Sequence, residues 1–184
     1  MTVKTGLEQL GERPELKNYR LGLLCNQASV NHVFRHASYL IEQRFPGRLK
    51  AIYSPQHRYF GEKQDNMNES GHQVDPYLEI PIFSLYGETR TPSKEMFDLI
   101  DILIIDLQDV GTRVYTFATT VSYCMQAARR FDKKVVILDR PNPVGGGIIE
   151  GNILLPEFAS FVGPYPIPMR HGLTMGELAG FYNQ

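Results

Sequence analysis

The chain has no tryptophan and only two cysteines. Cys25 and Cys124 each sit inside an apolar stretch, without the spacing of a metal or redox pair, so they read as buried thiols and a disulfide framework is excluded. No apolar run approaches the roughly 18 residues that a membrane helix needs. Met1 to Lys17 is polar and lacks the apolar core of a secretory signal. The expected compartment is therefore the cytoplasm, or the periplasm or exterior if a leader was removed. A charge excess is missing too: 19 Lys and Arg against 20 Asp and Glu leave a net charge of −1. Nucleic acid and anionic membranes are thus not expected as partners.

Several catalytic signatures are also missing. Gly145 to Gly147 follow prolines and lack the strand–turn–helix context of a phosphate loop. No Gly-x-Ser-x-Gly elbow occurs. His57, His72 and His171 lack metal-ligand spacing, so neither a metal nor a cofactor is expected.

What is present is the composition of a globular domain, 42% hydrophobic and 21% charged over 184 residues, enough for one complete core. Apolar runs of strand length alternate with helical patterns. Strands are predicted at Arg20 to Cys25, Leu49 to Tyr53, Ile82 to Leu85, Ile102 to Leu107 and Val135 to Leu138. Helices are predicted at Val33 to Phe45, Ser93 to Leu99, Val114 to Phe131 and Thr174 to Tyr182, the last opened by a Thr174/Glu177 capping box. The strands show no polar alternation, as expected when both faces are covered. The fold class is therefore α/β: a Rossmann-like, doubly wound, mostly parallel sheet with helices on both faces. The long polar segment from Ser54 to Ile80 is either a lid or a surface loop.

In such sheets ligands bind beyond the carboxyl ends of the strands. Those ends carry Asn26 and Gln27, then Gln56 and His57, Tyr86 and Gly87, Asp106 to Arg113, and Asp139 to Asn142. Asp106 ends an apolar run, where it is either catalytic or held by Arg113 or Arg140. Glu150 stands in a glycine-rich turn open to close approach by a ligand. A metal- or phosphate-dependent hydrolase using Asp106, Asp109 and Asp139 is possible on carboxylate count alone.

The segments LGLLCNQASV (Leu21 to Val30), SPQH (Ser54 to His57), SLYGETRTP (Ser84 to Pro92), DLQDVGTRVYTF (Asp106 to Phe117), LDRPNP (Leu138 to Pro143), EGNIL (Glu150 to Leu154), SFVG (Ser160 to Gly163) and PMRHGLTMGELA (Pro168 to Ala179) occur in the order found in the NamZ-type exo-β-N-acetylmuramidases, which the chain resembles from Leu21 onward. The resemblance implies a Rossmann-like N-terminal domain spanning 1–184, with the family's smaller C-terminal domain absent. It further implies a glycosidase that releases N-acetylmuramic acid from the non-reducing ends of peptidoglycan fragments, as in cell-wall turnover.

On this resemblance His57, Asp106, Gln108, Asp109, Arg113, Tyr115, Asp139, Arg140, Asn142 and His171 line the site, and Glu150 matches an acidic position of the family. Glu150, Asp109 and Asp106 are the catalytic candidates, with Asn26, Gln56, Tyr86 and Arg170 added to the substrate-binding set. One position departs. Where the family reads Ser-Pro-Glu-His-Gly, this chain has Gln56 and Arg58, and an amide cannot transfer a proton as a carboxylic acid does. Either Glu62, Glu69, Asp106 or Asp109 replaces it, or the chain is a muramyl-sugar binding module. N-acetylmuramic acid carries a lactyl carboxylate, for which Arg113, Arg140 and Arg170 are the candidate readers. Sugar faces would stack on Tyr86 or Tyr115, although core packing is an equal expectation for Tyr115. No oligomeric state follows from these patterns.

Overall fold

The computed structural model describes residues 3–55, 73–86 and 89–184. The expectations placed on Gln56, His57, Glu62, Glu69, His72, Gly87 and most of the 54–80 segment lie outside the described residues.

Strands β1 (Leu21–Cys25), β2 (Leu49–Ser54), β4 (Pro81–Ser84), β5 (Ile102–Asp106) and β6 (Lys134–Ile137) are parallel, and β3 (Gln73–Val74) adds an antiparallel edge. The sheet order is β3-β4-β2-β1-β5-β6, a doubly wound α/β arrangement as predicted. The central strands lack polar alternation because both faces are core. Leu21, Leu23, Cys25, Ile102 and Ile104 pack with helix α2 (Ala37–Arg44) and an N-terminal segment, while Leu24, Leu103 and Ile105 pack with α3 (Lys94–Phe97) and α4 (Phe117–Arg130). Each such side chain contributes about 1.5–3 kcal/mol of burial. Cys25 and Cys124 are fully buried, and burial pushes both thiols up. Among the described residues no helix is long and apolar enough to cross a membrane.

Two helices start later than their periodicity suggests. Helix α2 begins at Ala37 rather than Val33, because the Asn31 Oδ1 accepts from the N–H of Val33 at 3.1 Å and of Arg35 at 2.9 Å, holding a turn in which Phe34 has φ of 58°. That local bond competes with helix formation. Helix α4 begins at Phe117, leaving Tyr115 in the preceding turn. Helix α5 (Met175–Tyr182) has the expected Thr174/Glu177 capping box.

The N-terminal segment straps the end of β6. Helix α1 (Gly6–Gln9) and the turn that follows it place Leu7 and Leu10 in the core, and Gly6 N–H donates to the Asp139 carbonyl at 2.8 Å. A Cβ on Gly6 would lie 2.5 Å from the Asp139 nitrogen and the Leu138 Cα. Gly6→Ala is therefore expected to cost about 1–3 kcal/mol in urea unfolding; an unchanged midpoint would show that the strap is not seated this way.

Glu8 accepts from the Thr5 N–H at 2.9 Å and meets His32 Nδ1 at 2.5 Å. The backbone bond from Thr5, then the bond to His32, lower its carboxyl from 4.5 to about 2. A depressed folded-state value contributes stability above the unfolded value, which is lost as pH falls from 4.5 toward 2. Glu8→Gln is expected to flatten that acid limb and leave the neutral-pH profile parallel to wild type, as urea titrations at several pH values would show.

Candidate active site

The sheet grows one way from β1 through β2 to β4, then returns to the other side of β1 with β5 and β6. At this switch point the loops leaving β1 and β5 part to opposite faces of the sheet, the position at which such folds take their ligands. Asp106 ends β5 opposite Cys25 and is fully buried. Arg140 grips it with both ends of the guanidinium, Nε donating to Oδ1 at 2.5 Å and Nη2 to Oδ2 at 2.9 Å. The same Nη2 donates to the Val30 carbonyl at 3.0 Å. Burial raises the Asp106 carboxyl above its ordinary value, and the hydrogen bonds and charge of Arg140 oppose that rise. On the β1 side, Ser29 Oγ donates to the Asp106 carbonyl at 2.5 Å and accepts from the Asn26 N–H at 3.0 Å. His36 Nε2 lies 2.9 Å from the Asn26 carbonyl.

A second acid lies in the loop after β5. Asp109 Oδ1 accepts from the Gly111 N–H at 2.6 Å and lies 3.2 Å from His171 Nε2. The loop needs Gly111 because φ there is +81° and a Cβ would come 2.7 Å from Asn142 Oδ1. His171 Nδ1 accepts from the Leu173 N–H at 3.1 Å, which places the proton of a neutral ring on Nε2, facing Asp109. Among the described residues Asp109 Oδ2 and His171 Nε2, both buried, have no hydrogen-bond partner. Buried polar atoms are nearly always satisfied, so each exception calls for an explanation, of which a catalytic role is one. Burial, joined by the Asp109 charge, pushes up the phenols of Tyr115 and Tyr182.

The third component is a two-stranded ribbon of β7 (Glu150–Ile153) and β8 (Pro168–Arg170). Glu150 pairs in register with Arg170 and accepts from its Nη1 at 2.6 Å, with its side chain 61% exposed. Arg170 also bridges to Thr112, and the Arg113 N–H donates to the Met169 carbonyl at 2.8 Å. The ribbon thereby brings Glu150, 41 positions away in the chain, to the loop that carries Asp109. Glycosidic cleavage uses two carboxyl groups, and the ribbon and the loop it touches carry one exposed and one buried acid, Glu150 and Asp109.

Residues 21–184 match the family described as the N-terminal part of the exo-beta-N-acetylmuramidase NamZ. The chain belongs to this family. The peptidoglycan beta-N-acetylmuramidase NamZ of Bacillus subtilis (strain 168) is 44% identical over 184 residues, covering 99% of this chain and 44% of the relative. Two solved structures of DUF1343 family proteins from Bacteroides fragilis NCTC 9343 also match. One has a TM-score of 0.89 and 37% identity over 98% of this chain and 45% of its own, the other 0.82 and 36% over 100% and 47%. The chain thus spans about half the length of these relatives.

Within this NamZ-family fold, the sequence-predicted residues take different places. Asn26, Asp106 and Arg140 meet at the switch point, and Asp109 and His171 meet behind the ribbon, with Tyr115 beside them. Asp139 instead caps α5, Oδ2 accepting from Thr174 Oγ1 and Oδ1 from the Gly176 N–H, both at 2.8 Å. Asn142 holds the Leu173 carbonyl and Val144 N–H, and Gln108 donates to the carbonyls of Asp109 and Pro141. Glu150 lies on a strand, not in the glycine-rich turn expected for it. Asp106, Asp109 and Asp139 do not converge, and among the described residues no three His, Cys, Asp or Glu side chains are placed to hold an ion.

All three arginines offered as carboxylate readers have internal partners. Arg113 is buried and donates to the Asn152 and Ile167 carbonyls, Arg140 holds Asp106, and Arg170 holds Glu150 and the Val144 carbonyl. Sequence reasoning passed over Ser29 and His36, which buttress the switch point. Their only signal was position, just beyond the first strand.

Proposed function

We propose that this chain is the N-terminal, carbohydrate-cleaving part of an exo-acting glycosidase that removes terminal N-acetylmuramic acid from peptidoglycan fragments. The observation that carries this reading is the 44% identity, along nearly the whole chain, to a relative named a peptidoglycan beta-N-acetylmuramidase. The geometry supports it. Asp109 Oδ2 is a buried carboxylate oxygen with no partner among the described residues, available to a substrate hydroxyl or an attacking water. Glu150 presents the second carboxyl group, aligned by Arg170 at 2.6 Å. Arg140, bound to Asp106 and to the Val30 carbonyl, ties together the loops that follow β1, β5 and β6.

The test is release of the chromophore from a chromogenic β-N-acetylmuramide by the wild-type chain, the Glu150→Gln variant and a Gln56→Glu variant. Release by wild type, reduced at least about 100-fold by Glu150→Gln, is the expected result. Silence in the wild type with activity in Gln56→Glu would replace this reading by that of a sugar-binding module.

A further inference from the structure

The substituent that distinguishes N-acetylmuramic acid from N-acetylglucosamine is a lactyl ether that ends in a carboxylate, yet Arg113, Arg140 and Arg170 are each engaged internally. A fourth arginine stands at the same carboxyl edge of the sheet. Arg90 follows β4, in a short segment held by Thr89, whose Oγ1 donates to the Thr91 carbonyl at 2.6 Å and accepts from the Thr91 N–H at 3.2 Å. Its guanidinium lies over the ring of Phe161 at 4.0 Å and near that of Tyr86 at 5.9 Å.

Phe161 is itself fixed. It packs on Tyr123 with ring centroids 6.1 Å apart, inside a tight turn closed by reciprocal backbone bonds of Ser160 and Gly163. Gly163 in turn abuts the Arg113 stem. This turn belongs to the connection between β7 and β8, so Phe161 links Arg90 to the ribbon that carries Glu150.

A guanidinium held over an aromatic ring rather than by a carboxylate keeps N–H donors for a ligand, and those donors match a carboxylate two at a time. Among the described residues no Asp or Glu forms an ion pair with Arg90. Stacking fixes the orientation before binding, which removes much of the entropy cost of ordering a long side chain.

We propose that Arg90, clamped on Phe161 and Tyr86, is the specificity residue that binds the lactyl carboxylate of the substrate. This rests on the muramyl reading above and names the group that selects for it. The experiment is calorimetric titration of the 184-residue chain with N-acetylmuramic acid, its methyl ester and N-acetylglucosamine, repeated on Arg90→Gln and Arg90→Lys. Wild type is expected to favour the free acid over both uncharged sugars by about 10- to 100-fold, the effect of a charge-assisted bond. Arg90→Gln should bring that preference near parity, and Arg90→Lys should restore part of it, since an ammonium keeps the charge without the fork. The methyl ester makes the same test from the ligand side and does not depend on the folding of a variant. A wild type that binds ester and acid equally, or an Arg90→Gln protein that retains the preference, overturns this assignment and leaves the muramidase reading standing. A wild type that binds none of the three overturns both.

Discussion

Arg140→Leu is expected to destabilise the protein by about 3–5 kcal/mol at neutral pH, the cost of leaving a buried charge without its partner. Asp106 is completely enclosed and receives two bonds from this guanidinium. Leucine fills part of the space but supplies no donor. Burial already raises the Asp106 carboxyl against the pull of Arg140, so removing the arginine raises it further. A folded-state value above the unfolded one means that stability is retained at low pH and lost as pH rises through the folded value. The loss should therefore be smaller at pH 4 than at pH 7. Urea unfolding at both values measures it directly. A change below about 1 kcal/mol at pH 7, or one independent of pH, would show that the pair does not tie these loops together as described. Arg140→Leu combined with Asp106→Leu should recover part of the loss, since the uncompensated charge is then gone.

Asp109→Asn is expected to lower turnover of a chromogenic β-N-acetylmuramide by about 100- to 10,000-fold, the range for loss of a general acid or base, while leaving the fold intact. The amide oxygen of asparagine can still accept from the Gly111 N–H, now 2.6 Å from Oδ1. The amide nitrogen replaces Oδ2, which has no hydrogen-bond partner to lose among the described residues. Structure and chemistry therefore separate at this position: the thermal midpoint should stay close to wild type as the rate collapses. A rate within threefold of wild type would remove Asp109 from the mechanism. A collapse of rate and midpoint together would assign it to loop stability instead.

The five parallel strands were legible because each is a run of apolar residues with core on both faces, a property written in consecutive positions. The capping box at Thr174 was legible for the same reason, since its two partners lie three residues apart. The β7–β8 ribbon was not. All residues of β7 are exposed, β8 begins at a proline, and the pairing shifts register between Glu150 and Ile153, so no alternation marks the strands.

The site divides along the same line. Local pattern was enough to place acids, amides and arginines beyond the strand ends, because a strand end and its following loop are contiguous in the chain. Which acid meets which base was decided by tertiary structure alone. Asp106 takes Arg140 from 34 positions away, Asp139 takes the start of α5 from 35 and 37 positions away, and Arg90 lies over Phe161 of the β7–β8 connection, which no periodicity announces. Strand order and loop course bring these groups together, and both arise from burying the whole apolar surface at once, which no single segment encodes.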